Sequence, residues 1–430
     1  MDFCLLLLCV PATRRDIFPP YVCDRLSQLH DNGYPHSWEH TKAILSESFG
    51  SSFLEKGLSV GEHDVIGCGS AAQVYRGYLQ ATDENGKFIQ RPVAIKVLHP
   101  NFQELVDRDF GFIQSIADIL HSFPIEHIRM LNLPRVAENF GTVLRLQADL
   151  TVEATNLNQF RTNFYRSKSE EEGSSIMFPQ PIAGWISPKA IVEEFVGDAT
   201  PIAEFLKDST PSGLDIRREL AGPLLRAFLK MVFMDNFVHG DLHHGNVLVV
   251  TKSIPTSSSP FSKLWNYLLA GTSNSQQSTQ GTILKRSIVF LDAGISNSLS
   301  PNDQQNLTDL FRAVIFNDGN RAGRLMVERA KYERCSQIEG GIDNFALGVQ
   351  DIVSEFHDRR KEGLTLGAVR IGSLLTRVLE LCRVHGVEID PAMANVVLST
   401  LVLEGLGRSL EPNLNLIDFA KPFILGLGRV

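Results

Sequence analysis

The stretch VHGDLHHGNVLVV, Val238–Val250, sets a carboxylate at Asp241 and a carboxamide at Asn246, five residues apart, among three histidines and ahead of an apolar run. Two chemistries suit it. His239 and His243 have the i, i+4 spacing of zinc ligands on a helix, but Gly240 and Gly245 oppose a helix and no acid follows the first histidine. The other reading is a phosphoryl-transfer loop, H-x-D-L-x-x-x-N, in which Asp241 stands near the acceptor hydroxyl and the Asn246 amide oxygen holds a magnesium ion. The pattern favours magnesium over zinc. His239 is then a structural hydrogen-bonder of the loop, and His243 or His244 approaches the outermost phosphate.

Such a loop needs partners, and four further stretches offer them in order along the chain. GCGSAAQV, with Gly67, Gly69, Ser70, Ala71, Ala72 and Val74, is a glycine-rich turn between strands that lets backbone N–H groups approach phosphate oxygens. Alone, such a turn is more often plain hairpin geometry than a nucleotide site. VAIK, Val93–Lys96, alternates so that Val93, Ile95 and Val97 share one face and Ala94, Lys96 and Leu98 the other. Lys96 then binds the α- and β-phosphates of a nucleotide under the Gly67 turn, with Ala94 giving the adenine room. Standing alone, Lys96 would be an edge lysine snorkelling to water. Asp149 and Glu153 lie four apart on one helical face, ordinarily a solvated arrangement, and Glu153 is the candidate partner of Lys96. FLDAG, Phe290–Gly294, adds Asp292 at the end of a short apolar strand, suited to chelate magnesium between the β- and γ-phosphates.

The elements that must position these residues can be read from pattern. A short helix is expected from about Tyr21 to Leu29, closed by Gly33. Strands run from Val65 to Leu98, with Asn85-Gly86 as a hairpin signal. Helices follow over about Phe102–Phe123 and Pro134–Phe164, then a strand over Ala190–Asp198 and a short helix over Ile202–Leu206. Beyond Asp215 the chain reads as helical, interrupted by short strands at Asn246–Val250 and Ile288–Leu291. Between those strands, Ser253–Thr282 is rich in Ser, Thr, Asn and Gln and reads as a flexible surface excursion, with FSKLWNYLLA able to form a helical turn inside it. Ser300, Pro301 and Asp303 mark a helix start. The expected organisation is an N-terminal extension (1–56), a nucleotide-binding lobe (57–197) and a lobe with the catalytic and metal loops (198–430), the latter interrupted by the polar insert at 252–284.

The 430 residues, 43% apolar and 21% charged, are ordinary globular composition. A net charge of −8 and the lack of a basic stripe argue against a nucleic-acid partner. The six cysteines, Cys4, Cys9, Cys23, Cys68, Cys335 and Cys382, form no C-x-x-C pair and fit burial in a reducing compartment. The apolar run Phe3–Val10 is far below the roughly 20 residues of a membrane span. With Asp2 before it and Arg14 and Arg15 after it, it makes a poor signal peptide, and no Arg-rich amphipathic presequence is evident.

Taken together, GSAAQVYRG, QADLTVEATN, HGDLHHGNVLV and FLDAG, with TRRDIFPPYVCDRLSQLHD before them, resemble the UbiB-type, aarF-domain-containing atypical kinases over nearly the whole chain. Gln147, in place of the first acid of the family's E-x-D, resembles the branch called aarF domain containing kinase 2. The resemblance implies an α+β, bilobal protein-kinase-like fold: a small β-containing N-lobe with inserted helices and a mainly helical C-lobe. It implies ATP and Mg²⁺ as cofactors, with Lys96 as nucleotide lysine, Glu153 its partner, Asp241 the catalytic acid, and Asn246 and Asp292 the metal ligands. It further implies a mitochondrial home, a role in coenzyme Q or lipid metabolism, a lipid or isoprenoid ligand, coenzyme Q biosynthetic proteins as partners and peripheral membrane association.

Three features depart from the family pattern. MDFCLLLLCVPA stands where the family carries a Lys-x-Gly-Gln helix, which reads as an alternative or truncated start. GCGS is richer in glycine than the family's alanine run, and Gln147 removes a negative charge. Two other classes fit the same loop: a small-molecule phosphotransferase of the aminoglycoside or choline kinase type, and a nucleotide-binding scaffold without turnover.

Overall fold

The structure, a computed structural model, describes residues 35–82, 86–123, 133–240, 242, 244–255, 282–361, 371–388, 405–411 and 416–424. The expected helix at Tyr21–Leu29, the apolar run Phe3–Val10, Asp241 and His243 lie outside these residues. Helix α1 (Trp38–Phe49) starts at Ser37, whose hydroxyl accepts from the His40 N–H. There follow β1 (Leu58–Ser59), β2 (Val65–Cys68), β3 (Ala72–Thr82) and β4 (Phe88–Leu98), then α2 (Phe102–Ser122), α3 (Leu133–Gln147), α4 (Leu150–Phe164) and α5 (Lys168–Gly173). After β5 (Ile176–Met177), β6 (Pro181–Ile186) and β7 (Ala190–Glu194) complete an antiparallel sheet of order β1-β3-β4-β7-β6, with β2 also on β3.

The alternation of β4 decides what each face of this sheet meets. Val93, Ile95 and Val97 are fully buried against Ile44, Leu45 and Phe49 of α1. Leu98, on the other face, packs with Ala72 and Ile191 against Leu150 and Ala154 of α4. Helix α4 continues into a second core, where Leu157 and Phe160 are buried among Phe178, Phe228 and Phe290. One helix is thus embedded in two cores.

The second core belongs to β8 (Ala199–Pro201), α6 (Ile202–Lys207), α7 (Pro211–Phe233), β9 (Val238–His239), β10 (Val247–Pro255), β11 (Thr282–Phe290) and β12 (Ser296–Asn297). They form the sheet β5-β11-β10-β8 and the ribbon β12-β9. Further helices follow: α8 (Pro301–Ile315), α9 (Gly319–Arg329), α10 (Gly341–Lys361), α11 (Ile371–His385) and α12 (Leu416–Ile424). Ser300 caps α8 with Pro301 in its first turn, as the residue types predict. Among the described residues no helix is long and apolar enough to cross a membrane.

Two expectations need correction. The helix predicted over Pro134–Phe164 is two helices, because Asp149 adopts an extended conformation (φ −133°, ψ 103°) and its side chain accepts from Thr151 N at 2.9 Å and Thr151 Oγ1 at 2.6 Å. Asp149 is therefore a cap, and does not share a helical face with Glu153. The strands beside the polar insert are also longer than expected: Ser253, Ile254 and Pro255 pair with Leu284, Ile283 and Thr282. The ladder reaches into the polar stretch because backbone pairing, unlike apolar alternation, is indifferent to side-chain polarity there.

Candidate functional site

Lys96 sits on the face of β4 turned towards α4. Its Nζ donates to both carboxylate oxygens of Glu153, at 2.9 Å to Oε1 and 2.8 Å to Oε2, and stands 3.2 Å from Asp292 Oδ2. Glu153 is brought there by its helix: Leu150 and Ala154 anchor α4 on the sheet, and the intervening carboxylate, only 2% exposed, faces the strand. The same helix holds the loop that carries Asp292, since buried Asn156 donates from Nδ2 to Ala293 O at 2.8 Å. Asn156 was not singled out by sequence reasoning. Its place three residues after Glu153, on the same helical side, was the available signal.

Asp292 lies beyond the end of β11 at φ +52°, a left-handed conformation that Asp tolerates better than most residues, and its carboxylate is 43% exposed. Asn246 precedes β10, and its carbonyl accepts from Leu291 N at 2.9 Å, so the two predicted metal ligands leave the same end of adjacent strands. His239 is fully buried, donates from Nε2 to Leu291 O at 3.1 Å, and stacks near Phe160. It fastens one loop to the other. Gly240 has a steric reason: a Cβ there would come within 2.6 Å of Ile295 Cγ2, where Gly240 N bonds Ile295 O at 2.9 Å.

The predicted phosphate turn joins β2 to β3. Gly67 is half-buried at the end of β2; Gly69 is exposed and its N–H bonds Ala72 O at 2.9 Å. Ser70, Ala71 and Val74 are half-buried, while Ala72 and Ala94 are buried. Neither Gly67 nor Gly69 is required by the fold, because a Cβ at Gly67 meets nothing within 4 Å and one at Gly69 meets only Ala72 O at 3.7 Å. Gln147 closes α3 with its Oε1 buried and unbonded among the described residues.

Sequence reasoning missed a third acid. Glu193 pairs with Ala94 across β7 and β4, which places both side chains on the Lys96 face. Burial lifts Glu193 to about 8, with the Glu153 carboxylate adding to the rise. Burial likewise lifts Glu153 to about 7, against the pull of Lys96. For Lys96, burial disfavours the charge, but Asp292 and Glu153 outweigh it and hold the ammonium above its ordinary value. Burial also works against the Asp292 carboxylate, and Lys96 reverses this, holding it below the usual range. A charged lysine beside a lifted Glu153 is no contradiction. Three carboxylates compete for one ammonium: the exposed one stays ionised and the two inner ones give way.

Asp292, the ionised hard-oxygen carboxylate at the open edge of this cluster, with the Asn246 amide oxygen beside it, fits a divalent cation held by one carboxylate, one amide oxygen and phosphate oxygens. Among the described residues no group of three or more His, Cys, Asp or Glu side chains is placed to hold a metal by itself.

An antiparallel sheet whose lysine is held by a helical glutamate, facing two acid- and amide-bearing loops, is the architecture of a protein-kinase-like fold. Residues 28–326 match the ABC1 atypical kinase-like domain and residues 359–415 the UbiB helical domain. The chain belongs to the ABC1/UbiB atypical kinase family. It is 32% identical to a mitochondrial ABC1 family protein of Schizosaccharomyces pombe, over 96% of this chain and 62% of that protein. It is also 32% identical to a mitochondrial ABC1 family protein of Saccharomyces cerevisiae, over 97% of this chain and 64% of that protein. A protein of Azotobacter vinelandii named "Probable protein kinase UbiB" is 25% identical, over 96% of this chain and 66% of its own length. The chain therefore spans somewhat under two thirds of its two yeast relatives. A solved structure, Rv3197 of Mycobacterium tuberculosis in complex with erythromycin, shares the fold at a TM-score of 0.55 and 14% identity, covering 99% of this chain and 92% of that one.

Proposed function

We propose that this chain binds Mg·ATP at Lys96 and transfers or hydrolyses its terminal phosphoryl group, as an atypical kinase or ATPase. The observation that carries this is the meeting of Lys96, Glu153 and Asp292, from three separate stretches, within 3.2 Å of one ammonium nitrogen. Glu153 orients Lys96 and keeps it charged, and the α- and β-phosphates take the Nζ hydrogen that faces Asp292 when no ligand is bound. Ala94 and the Gly67–Val74 turn form the roof: a small side chain and backbone N–H groups that admit the base and phosphates. Asn246 and Asp292 would hold Mg²⁺, which when bound neutralises the phosphates' charge. Asp241 would take the proton of the attacking hydroxyl or water.

The yeast relatives named mitochondrial and the UbiB relatives support a mitochondrial role in coenzyme Q or lipid metabolism, with a lipid or isoprenoid ligand, coenzyme Q biosynthetic proteins and a membrane surface as partners. Gln147 is the residue that favours the kinase 2 branch.

Calorimetric titration with Mg·ATP, followed by phosphate-release and ADP assays, tests the reading. Association with phosphate release in the absence of an acceptor is the expected result. ADP formed only when an acceptor is added would instead mark a small-molecule phosphotransferase, and a thermal shift without turnover a scaffold. No association would sink the nucleotide site itself.

A further inference from the structure

On the opposite face of β4 from Lys96, a second polar cluster joins α1 to the predicted phosphate turn. His36 Nδ1 lies 2.8 Å from His99 Nδ1, and His99 Nε2 lies 2.9 Å from Gly69 O. His36 Nε2 lies 2.8 Å from Thr41 Oγ1, which lies 2.7 Å from Tyr75 Oη. Gln73 closes the circuit, donating from Nε2 to Tyr75 Oη at 2.8 Å and accepting His36 N–H on Oε1 at 2.9 Å. Thr41, Gln73 and Tyr75 are buried.

With both imidazoles neutral, the direction of every proton follows from one fact. Gly69 O can only accept, so His99 Nε2 carries hydrogen, and a neutral His99 must then accept on Nδ1. His36 Nδ1 is therefore the donor, and its Nε2 accepts from the Thr41 hydroxyl. Thr41, with its one proton committed, accepts from Tyr75, which in turn accepts from Gln73. The chain has a single consistent polarity with both imidazoles neutral. An extra proton on His36 would remove the acceptor for Thr41, and one on His99 would either set two donors face to face or reverse the chain and leave the Tyr75 hydroxyl hydrogen without an acceptor in it.

What the chain holds is the turn. His99 takes two of its carbonyls, Gly69 O through Nε2 and Ala71 O through its backbone N–H at 2.9 Å. In a trans peptide the N–H points opposite to the C=O of the same plane. The Ser70 N–H therefore points away from the His99 ring.

We propose that His36 and His99 are positioning residues for the phosphate turn, fixing the Ser70 N–H towards the ligand's phosphates and coupling the turn to α1. This rests on the nucleotide reading above. His99 contributes through Gly69 and never meets the ligand itself, and His36 acts through His99. The consequence is selective: the chain governs the phosphates and leaves the nucleoside alone.

The test compares dissociation constants for Mg·ATP and for adenosine by calorimetry, in wild type, His99→Leu, His36→Phe and the double variant. His99→Leu is expected to weaken Mg·ATP about five- to tenfold, as for one lost hydrogen bond, with adenosine binding unchanged. His36→Phe, which keeps ring volume, should weaken Mg·ATP about two- to fivefold, and this effect should vanish in the His99→Leu background because both act on one path. Unchanged Mg·ATP binding in both single variants would overturn the proposal, as would equal weakening of adenosine and Mg·ATP, the mark of a merely structural role. If His99→Leu does not fold, His36→Phe decides alone by the same ratio. A wild type that binds neither ligand overturns the nucleotide reading and this proposal with it, a result distinct from tight but histidine-independent binding.

Discussion

Two polar clusters lie on opposite faces of β4 and follow opposite rules. Around Lys96, three carboxylates crowd one ammonium, and their formal charges do not cancel. Around His36 and His99 no charge is present, and each described donor faces an acceptor in one unbroken sense. The first arrangement is unbalanced in the way that a ligand of opposite sign would relieve. The second is closed, and a closed chain is suited to hold a direction. Strand β4 thus separates a face equipped to bind from a face equipped to aim.

The largest expected effect is on turnover, at the proposed base Asp241. Asp241→Asn is expected to lower turnover by roughly 10²–10⁴ if it removes a general base, with Mg·ATP affinity little changed; steady-state phosphate release measures it. Next is Lys96→Met, which leaves buried Glu153 without its cation. At pH 8 chemical denaturation should show a loss of about 3–5 kcal/mol, against about 0.5–1.5 kcal/mol for the hydrogen bonding lost in His36→Phe. Equal losses would erase the contrast between the faces.

The two clusters should also differ in the sign of their pH response. Glu193 is raised from 4.5 to about 8 and Glu153 from 4.5 to about 7, in both cases by burial first. Their contribution to stability is thus fully present below 4.5 and lost as pH rises through those values. His36 is depressed from 6.5 to about 4 by burial, then by His99 and His40, with Cys68 and Tyr75 also near the cluster. Its contribution is present above 6.5 and lost as pH falls towards 4. Thermal unfolding between pH 4 and 8.5 should therefore flatten on the alkaline side in Glu193→Gln and on the acid side in His36→Phe. The same slope in both variants would break the comparison.

The smallest effect is expected at Gly67, where the backbone is not left-handed and an added methyl meets nothing. Gly67→Ala should stabilise by about 0.4–1 kcal/mol through the unfolded chain while weakening Mg·ATP, a split that denaturation and calorimetry together would reveal.

The charged face was largely legible from sequence because its residues carry their own spacing. VAIK announces a lysine on an alternating strand, and H-x-D-L-x-x-x-N and FLDAG announce oxygen donors after short apolar strands. Glu193 was missed because its significance lies in a neighbouring strand: only the register that pairs it with Ala94 puts it beside Lys96. The histidine chain was wholly illegible, since His36 and His99 are 63 residues apart and share no local pattern. The break before α4 was missed for a different reason. Asp149 is compatible with a helix interior by periodicity, and only its bond to Thr151 shows that it begins one.

Helix α4 has a mechanical consequence. It is seated in the core of the first sheet through Leu150 and Ala154 and in the second core through Leu157 and Phe160, with Glu153 and Asn156 between. A rod seated at both ends couples the two bodies and is the natural pivot for any motion between them. Lys96 and Asp292, tethered through that spindle by Glu153 and Asn156, would travel together while the outer rim of the cleft widens.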